Sequence, residues 1–142
     1  MAITQAVANS FKTEVLTGTH NFTATTGNSF KIALYTNSAT ISKSTTAYTT
    51  TAEVSGTGYT ATGNTLTSVT PALSTDTAVC DFADTSWTSA TITARGALIY
   101  NDTQSDKAVV VLDFGGDKTS TAGTFTIQFP AADASNAILR LA

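Results

Sequence analysis

Charge is scarce in this sequence. Asp, Glu, Lys and Arg make up only 12% of the 142 residues, about half the share of ~25% in average globular domains. The net charge is −3, and Lys and Arg form no cluster, so no nucleic-acid surface is predicted. Because the cores of protein interfaces are also depleted in charge, this composition favours a subunit of an assembly over a free monomer.

Cysteine, histidine and long apolar runs are almost absent. With one Cys and one His, the chain can form no internal disulfide, and a zinc site lacks ligands. The stretch "AVCDF" predicts that Cys80 is a small buried side chain on a strand. The N-terminus has no basic start followed by an apolar run, and no window approaches the ~18 apolar residues of a membrane span. We therefore expect cytoplasmic synthesis, no membrane partner and no cofactor.

Threonine fills the space that charge leaves, at about one residue in five, and this β-branched residue suits strands. Alternation of apolar and polar residues begins after residue 28, and it makes 29–36 a half-buried strand. Gly56, Gly58 and Gly63 are turn signals. Seven to nine strands with few helices predict a mainly β fold, an antiparallel β-sandwich or barrel-like domain with one N-terminal α-helix. The predicted strands include 29–36, 77–88, 90–101, 107–114, 123–130 and 137–142.

One helix is predicted, over residues 3–16. Ile3, Val7, Phe11 and Val15 repeat every four residues, and Gly18 follows as a cap. The single domain would thus have an N-terminal helix (1–18) and a β-domain (19–142). The apolar stripe must be covered by the chain's own sheet or by a neighbouring subunit. We predict Ile3, Val7 and Phe11 as interface residues, with Ile3 and Val7 better placed for a partner and Phe11 nearer the body of the domain.

The stretch "AVVVLDFGGD" (108–117) contains Asp-Phe-Gly, which is also the metal-binding signature of protein kinases. The other kinase motifs do not precede it. A buried strand that ends in a turn explains it better, because Gly115 and Gly116 can adopt positive φ, while Asp113 and Asp117 can accept hydrogen bonds from the turn backbone. No catalytic residue is predicted, and the chain is not expected to be an enzyme.

His20 follows the predicted helix, and a catalytic triad would have to use it. No G-x-S-x-G is present, so a polar turn residue is predicted. Asp102 and Asp106 share a predicted loop tip. Calcium needs several oxygens in one turn, and this loop lacks regular acidic spacing, so the question of an ion stays open.

The aromatic residues offer two interpretations. They can line a sugar-binding face, or they can pack in a core or an interface, where Trp and Tyr are also enriched. Packing is favoured. The residues concerned are Trp87, Tyr35, Tyr48, Tyr59 and Tyr100.

Long stretches of the chain resemble one group of proteins. The segments "FKIALYTNSATI", "EVSGTGYTATGNTL", "ITARGALIYNDT" and "KAVVVLDFGGDKTSTAGTFTIQFPAADASNAILRLA" are similar to small Thr/Ala-rich virion structural proteins of tailed bacteriophages, especially marine ones. The similarity covers nearly the whole chain. It implies a structural role in the virus particle and brings no catalytic residues. It does not place the chain within the virion.

The leading hypothesis is therefore a capsid decoration (cement) protein, a non-enzymatic virion component that bridges major capsid subunits. Its partners would be the major capsid protein or other virion subunits, and copies of itself. It would be synthesised in the host cytoplasm and reside in the virion. The alternatives are a tail, neck or fibre component, and a carbohydrate-binding adsorption module.

Overall fold

The computed structural model describes residues 2–142. Strands account for 48% of the chain and helix for 6%, so the predicted mainly β class is confirmed. Within the described residues, no helix is long and apolar enough to cross a membrane. The elements are β1 (Ala6–Val7), α1 (Asn9–Leu16), β2 (Phe30–Tyr35), β3 (Asn64–Thr65), β4 (Ser68–Ser74), β5 (Thr77–Phe82), β6 (Thr85–Asn101), β7 (Lys107–Ile127) and β8 (Leu139–Leu141).

The strands form two sheets. The larger has the order β1-β7-β6-β2-β3, and the smaller has the order β4-β5-β8. Neighbouring strands are antiparallel throughout both sheets. The two sheets form a sandwich-like arrangement and not a closed barrel. Of the two predicted architectures, the sandwich is therefore correct.

The N-terminal segment differs from the prediction, because the helix begins at Asn9 and not at residue 3. Before it, β1 pairs with β7, and Ile3 forms a parallel bridge with Ile41. The Ile3 side chain is only 8% exposed and lies over Gly96, where an added Cβ would come within 2.9 Å of it. Ile3 is thus a core residue and not the free end of a helix, so the premise for its contact with a partner was wrong.

Strand β2 was predicted to be half-buried, but both of its faces are covered. On one face, Phe30 stacks on Phe22 with ring centroids 4.3 Å apart. On the other, the Tyr35 hydroxyl donates to the carbonyl of Thr49 at 2.6 Å, and Tyr35 is fully buried. The second cover is irregular chain from residues 36–63, which the alternation within the strand gave no means of predicting.

The longest strands, β6 and β7, form one hairpin, and "DFGGD" does not end its strand. The register passes from Gly96 opposite Asp113 to Ala94 opposite Lys118. Arg95 therefore lies opposite the four residues 114–117, which form a large bulge. Such a bulge bends a strand without ending it. The expected turn was wrong, and of the two glycines only Gly115 has the expected positive φ, at +79°.

Other strand predictions hold with changed boundaries. The predicted strand 77–88 is divided between β5, which contains Cys80, and β6, which contains Trp87. The predicted strand 123–130 is the last part of β7. The C-terminal strand lies at the edge of the small sheet, as β8.

Candidate functional site

The carboxylates of "DFGGD" are engaged in the bulge. Asp113 Oδ1 accepts hydrogen bonds from the Gly115 N–H at 2.9 Å and from Arg95 Nε at 3.3 Å. These donors, the Gly115 N–H first, hold the pKa of Asp113 below its usual value. Asp117 Oδ2 accepts from Asn37 Nδ2 at 3.1 Å. The predicted hydrogen bond to the local backbone is confirmed for Asp113, whereas Asp117 instead binds a distant loop.

His20 is buried, and the prediction of a polar turn residue was wrong. Its Nε2 lies 3.0 Å from Glu14 Oε1, and its Nδ1 lies 3.0 Å from Asn101 Nδ2. An amide nitrogen can only donate, so Asn101 Nδ2 donates one hydrogen to His20 Nδ1 and the other to Asn28 Oδ1. With Nδ1 as an acceptor, the neutral His20 ring carries its hydrogen on Nε2 and donates it to Glu14. The Phe11 ring packs against the His20 ring, with the two ring centroids 4.8 Å apart. Both nitrogens are thus occupied in holding α1 to the end of β6.

Sequence reasoning missed a second polar cluster, centred on Glu53. Its carboxylate accepts hydrogen bonds from the hydroxyls of Tyr48 at 2.5 Å and Tyr59 at 2.7 Å, and from the Thr62 N–H at 2.8 Å. Tyr100 donates to the Thr62 carbonyl at 2.6 Å. Burial, and then the bond to Glu53, raise the pKa of Tyr48 to about 12. This cluster fixes residues 48–62 onto the large sheet.

The aromatic residues pack in the interior. Tyr35, Tyr100 and Trp87 are at most 4% exposed, so these rings are not available to stack on a sugar. Tyr48 stacks on Tyr100 with centroids 4.9 Å apart, and Tyr59 lies 5.8 Å from Trp87. The packing interpretation is confirmed for Tyr35, Tyr100 and Trp87, whereas Tyr48 and Tyr59 are half-buried.

Asp102 and Asp106 lie in the turn that joins β6 to β7, as predicted. Burial, followed by the nearby Asp102 charge, raises the pKa of Asp106. Asp102 also lies 3.8 Å from Lys31 Nζ. Among residues 2–142, no group of three or more His, Cys, Asp or Glu side chains is arranged to hold a metal ion.

The most distinctive surface feature is a groove of about 690 Å³ between α1 and the small sheet. We call it the helix–sheet groove. Its lining is almost wholly apolar. From the helix side it includes Phe11, Val15 and Leu16, and from β8 it includes Leu139 and Leu141.

The register of the small sheet explains why the groove is open at one end. Residues that pair directly across strands share a face, so Leu73, Ala78 and Leu141 form a row on one face. Phe82, four positions after Ala78 in the strand, lies on that same face and packs against Phe22 with centroids 6.2 Å apart. The face is therefore covered at its Phe82 end. Its other end is bare, with Leu73 75% and Leu141 69% exposed.

Cys80 lies on the groove face as well, paired with Leu139. It is buried, as predicted, and burial raises the pKa of its thiol to about 12. A thiol with such a pKa stays protonated at neutral pH, so Cys80 behaves here as a small apolar side chain.

The structure divides the three predicted interface residues. Ile3 lies in the core, over Gly96. Phe11 is mostly buried against His20 and Phe22, but it contributes to the groove wall, as does the half-buried Val7. Contact of Val7 and Phe11 with a partner stays a prediction.

The chain was compared with protein-family models, with curated proteins and with solved structures, and none of these comparisons gave a match.

Proposed function

We propose that this chain is a non-enzymatic structural subunit of a virus particle, and more specifically a capsid decoration (cement) protein that bridges major capsid subunits. The observation that carries the proposal is the bare apolar end of the helix–sheet groove. Leu16 at its edge is 83% exposed, Leu141 lines it and is also exposed, and the exposed Leu73 lies on the same face of the small sheet. Contiguous apolar patches of this kind mark interaction sites.

Burial of these side chains against a partner would stabilise the attachment. Fully burying one Leu contributes roughly 1.5–3 kcal/mol relative to leaving it in water. Burial of three such side chains would therefore contribute substantially to the binding free energy, even after the entropic cost of ordering the partner is subtracted.

A bridging protein needs a second surface. The distal half of the β6–β7 hairpin, which is the half farther from the turn that joins the two strands, offers a surface of different chemistry. Its exposed surface is rich in hydroxyl groups. Thr93 and Thr119 share a hydrogen bond at 2.9 Å, and Ser86 and Thr126 share one at 2.8 Å. Such uncharged polar groups can pair with a partner's backbone without the cost of desolvating an ion.

The polar interior supports a structural role. The His20–Glu14 pair is enclosed, Glu53 holds a loop, and Asp113 holds a bulge. Each of these groups has its hydrogen-bonding capacity used by the chain itself, whereas a catalytic group has to reach a substrate. The similarity to virion proteins of tailed bacteriophages agrees with this proposal.

Purified virions provide the test. We expect mass spectrometry to detect the chain in them, and cryo-electron microscopy to place it on the outer capsid surface in a copy number that scales with the number of major capsid subunits. A small fixed number of copies at the neck or tail would replace the decoration role with a tail role. Absence from purified particles would refute the proposal.

A further inference from the structure

The small sheet has a second face, which points away from the helix–sheet groove and carries a buried carboxylate. Ala78 and Phe82 lie on the groove face, and Phe82 packs on Phe30 of the large sheet, so Val79 and Asp81 point the other way. Both are nevertheless buried, and Asp81 is only 1% exposed. Its Oδ1 accepts a hydrogen bond from the Phe82 N–H at 2.9 Å, whereas its buried Oδ2 has no partner among the described residues. A segment outside the two sheets must therefore cover this face.

That cover is formed by residues 129–138, which we call the strap. It starts beyond the C-terminal end of β5, where the Phe129 N–H donates to Asp84 Oδ1 at 2.7 Å. It reaches the other end of β5 at Ala134, whose N–H donates to Ser74 Oγ at 3.1 Å, and Ser74 lies opposite the first residue of β5. The strap therefore runs along β5 and passes over the buried carboxylate.

The strap and β8 can move as one unit. The N–H groups of Asn136 and Ala137 donate to the Asp133 carbonyl, within the strap itself. The strap continues into β8, which is three residues long and pairs with β5 on one side only. Arg140 of β8 donates to the Ser135 carbonyl at 2.7 Å. The strap is thus bonded more to itself and to β8 than to the sheet that it covers.

The charges near Asp81 disfavour its ionised form. Burial raises the pKa of Asp81, and the negative charges of Asp84 and Asp133 add to that rise. The neighbouring strand β4 carries no charged residue, and Cys80 points into the groove on the opposite face. Arg140 is the one cation of β8, and within the described residues no ion pair joins it to Asp81. No nearby cation therefore neutralises the carboxylate when the strap is closed.

We propose that the strap is a proton-controlled cover, which lies closed over Asp81 when that carboxyl is protonated and opens together with β8 when it is ionised. The open state hydrates the charge, whereas the closed state keeps it buried without a partner. Opening also uncovers Val79 and frees the edge of β5 that β8 occupies. A rise in pH thus exposes a strand edge and an apolar side chain. The inference goes beyond the assembly role and concerns the protein by itself.

Protonation and closure are thermodynamically linked. The closed state holds the proton on Asp81 more tightly than the open state does. Its advantage is therefore complete below pH 3.8, the usual pKa of the group, and falls as the pH rises through the raised pKa. Above that range the opening equilibrium no longer depends on this group.

Hydrogen–deuterium exchange of the purified protein, followed by mass spectrometry, measures the opening. The rates are corrected for the intrinsic pH dependence of amide exchange. We expect a fragment that covers residues 129–142 to open at least about threefold more often at pH 7 than at pH 4. At pH 7 it should also exchange faster than the β6–β7 hairpin, because local opening needs less free energy than global unfolding.

Three variants locate the effect. Asp81→Asn keeps an acceptor for the Phe82 N–H without the charge, so its C-terminal fragment should exchange at pH 7 as slowly as that of the wild type at pH 4. Asp76→Asn, which removes the same charge from the exposed turn between β4 and β5, should keep the pH dependence of the wild type. Ser74→Ala removes the anchor on β4, so it should speed exchange of the fragment at every pH. Melting temperatures verify that each variant is folded.

Any of three results would overturn the inference. The first is a corrected exchange rate of the C-terminal fragment that does not change with pH. The second is an Asp81→Asn protein that keeps the pH dependence of the wild type. The third is a fragment that exchanges at the same rate as the β6–β7 hairpin at every pH, which would show global unfolding alone. Because the experiment uses the purified protein, its outcome is independent of whether virions contain the chain.

Discussion

At the scale of single residues, the buried polar groups differ in how completely they are hydrogen-bonded. Both ring nitrogens of the buried His20 and both carboxylate oxygens of the half-buried Glu53 have hydrogen-bond partners. Asp81, which is 1% exposed, accepts a bond from the Phe82 N–H through Oδ1, but its buried Oδ2 has no partner. An unpaired buried oxygen of this kind costs about 1–3 kcal/mol, so the chain carries a destabilising group at this position.

Asp81→Asn should stabilise the protein at neutral pH. Burial raises the pKa of Asp81 above 3.8, so the folded state holds the proton more tightly than the unfolded state. The stability that this group contributes is complete below pH 3.8 and is lost as the pH rises through the raised pKa. We expect the variant to gain about 1 kcal/mol at pH 7 and to lose that advantage in acid, as measured by melting temperature against pH.

Asp133→Asn is the control with the opposite sign. Hydrogen bonds from Asn136 and Ser135 lower the pKa of Asp133, so its contribution is present at neutral pH and is lost as the pH falls. This variant should melt lower than the wild type at pH 7, and the difference should close in acid. Parallel pH profiles for the two variants would contradict the argument.

Glu53→Ala should loosen the loop that Glu53 holds. The change leaves the Tyr48 and Tyr59 hydroxyls and the Thr62 N–H without their acceptor, at a cost of about 2–4 kcal/mol in unfolding free energy. It should also lower the pKa of Tyr48, which the bond to Glu53 helps to raise. Denaturant unfolding and absorbance titration of tyrosinate measure the two effects.

Glu53→Gln is the matched variant, because its amide keeps an acceptor oxygen but loses the charge. It should lie between the wild type and Glu53→Ala in stability. A tyrosine titration that is identical in all three proteins would show that Glu53 does not contact these rings in solution.

These polar clusters could not be predicted from the sequence for a physical reason. Glu53 lies in a Thr-rich stretch without periodicity, and its partners Tyr48, Tyr59 and Thr62 are brought to it only by the folding of the loop. His20 was recognised as the single His, but its partners Glu14 and Asn101 meet only when α1 packs on β6. The burial of Cys80, by contrast, was predictable, because an apolar strand surrounds it in the sequence.

At the scale of elements, strands were easier to predict than their ends. Alternation identified β2, although both of its faces are covered, and it identified β6 and β7 only as separate shorter strands. The period-four stripe overpredicted the helix, because Ile3 and Val7 are apolar for a different reason: Ile3 fills the space over Gly96, and Val7 pairs with β7. Non-local contacts of this kind override local periodicity.

The turn between β4 and β5 carries a removable strain. Its two central residues are Thr75 and Asp76, and the exposed Thr75 has φ +60°, a conformation that costs a β-branched residue about 1–2 kcal/mol. Thr75→Gly should raise the unfolding free energy by about 0.5–1 kcal/mol, the part that remains after the larger entropy loss of Gly on folding. Chemical denaturation measures the change.

Asp76→Gly, in the same turn, is the comparison. Asp76 is not in the positive-φ region, so here Gly brings only its entropic cost, and stability should fall by about 0.5–1 kcal/mol. Equal effects of the two substitutions would mean that backbone strain at Thr75 is not the cause.

At the scale of the whole molecule, the N-terminal segment joins parts that are far apart in sequence. Ile3 contacts the loop at Ile41 and the strand at Gly96, and β1 pairs with β7 as the edge strand of the large sheet. The class of fold was predictable from composition and alternation. The order of strands was not, because it depends on such pairings between distant segments, which no local pattern records.

Ile3→Asp should therefore unfold the domain or destabilise it strongly, because a carboxylate cannot be buried cheaply over Gly96. We expect a loss of at least about 3 kcal/mol and a large fall in melting temperature. Thr4→Asp, at the neighbouring exposed position, should melt within a few degrees of the wild type. A normally folded Ile3→Asp protein would place Ile3 on the surface and restore it as a candidate partner contact.

The pairing of β1 with β7 also has a consequence for the order in which the chain can fold as it is made. Ala6 leaves the ribosome about a hundred residues before its partner Val111. Until β7 has been synthesised, β1 has no strand to pair with, and the side chain of Val7 remains open to chaperones. Sheets closed by such distant pairings fold slowly, on the scale of milliseconds to seconds. Strand β1 thus reaches its final position only after the much later strand β7 is complete.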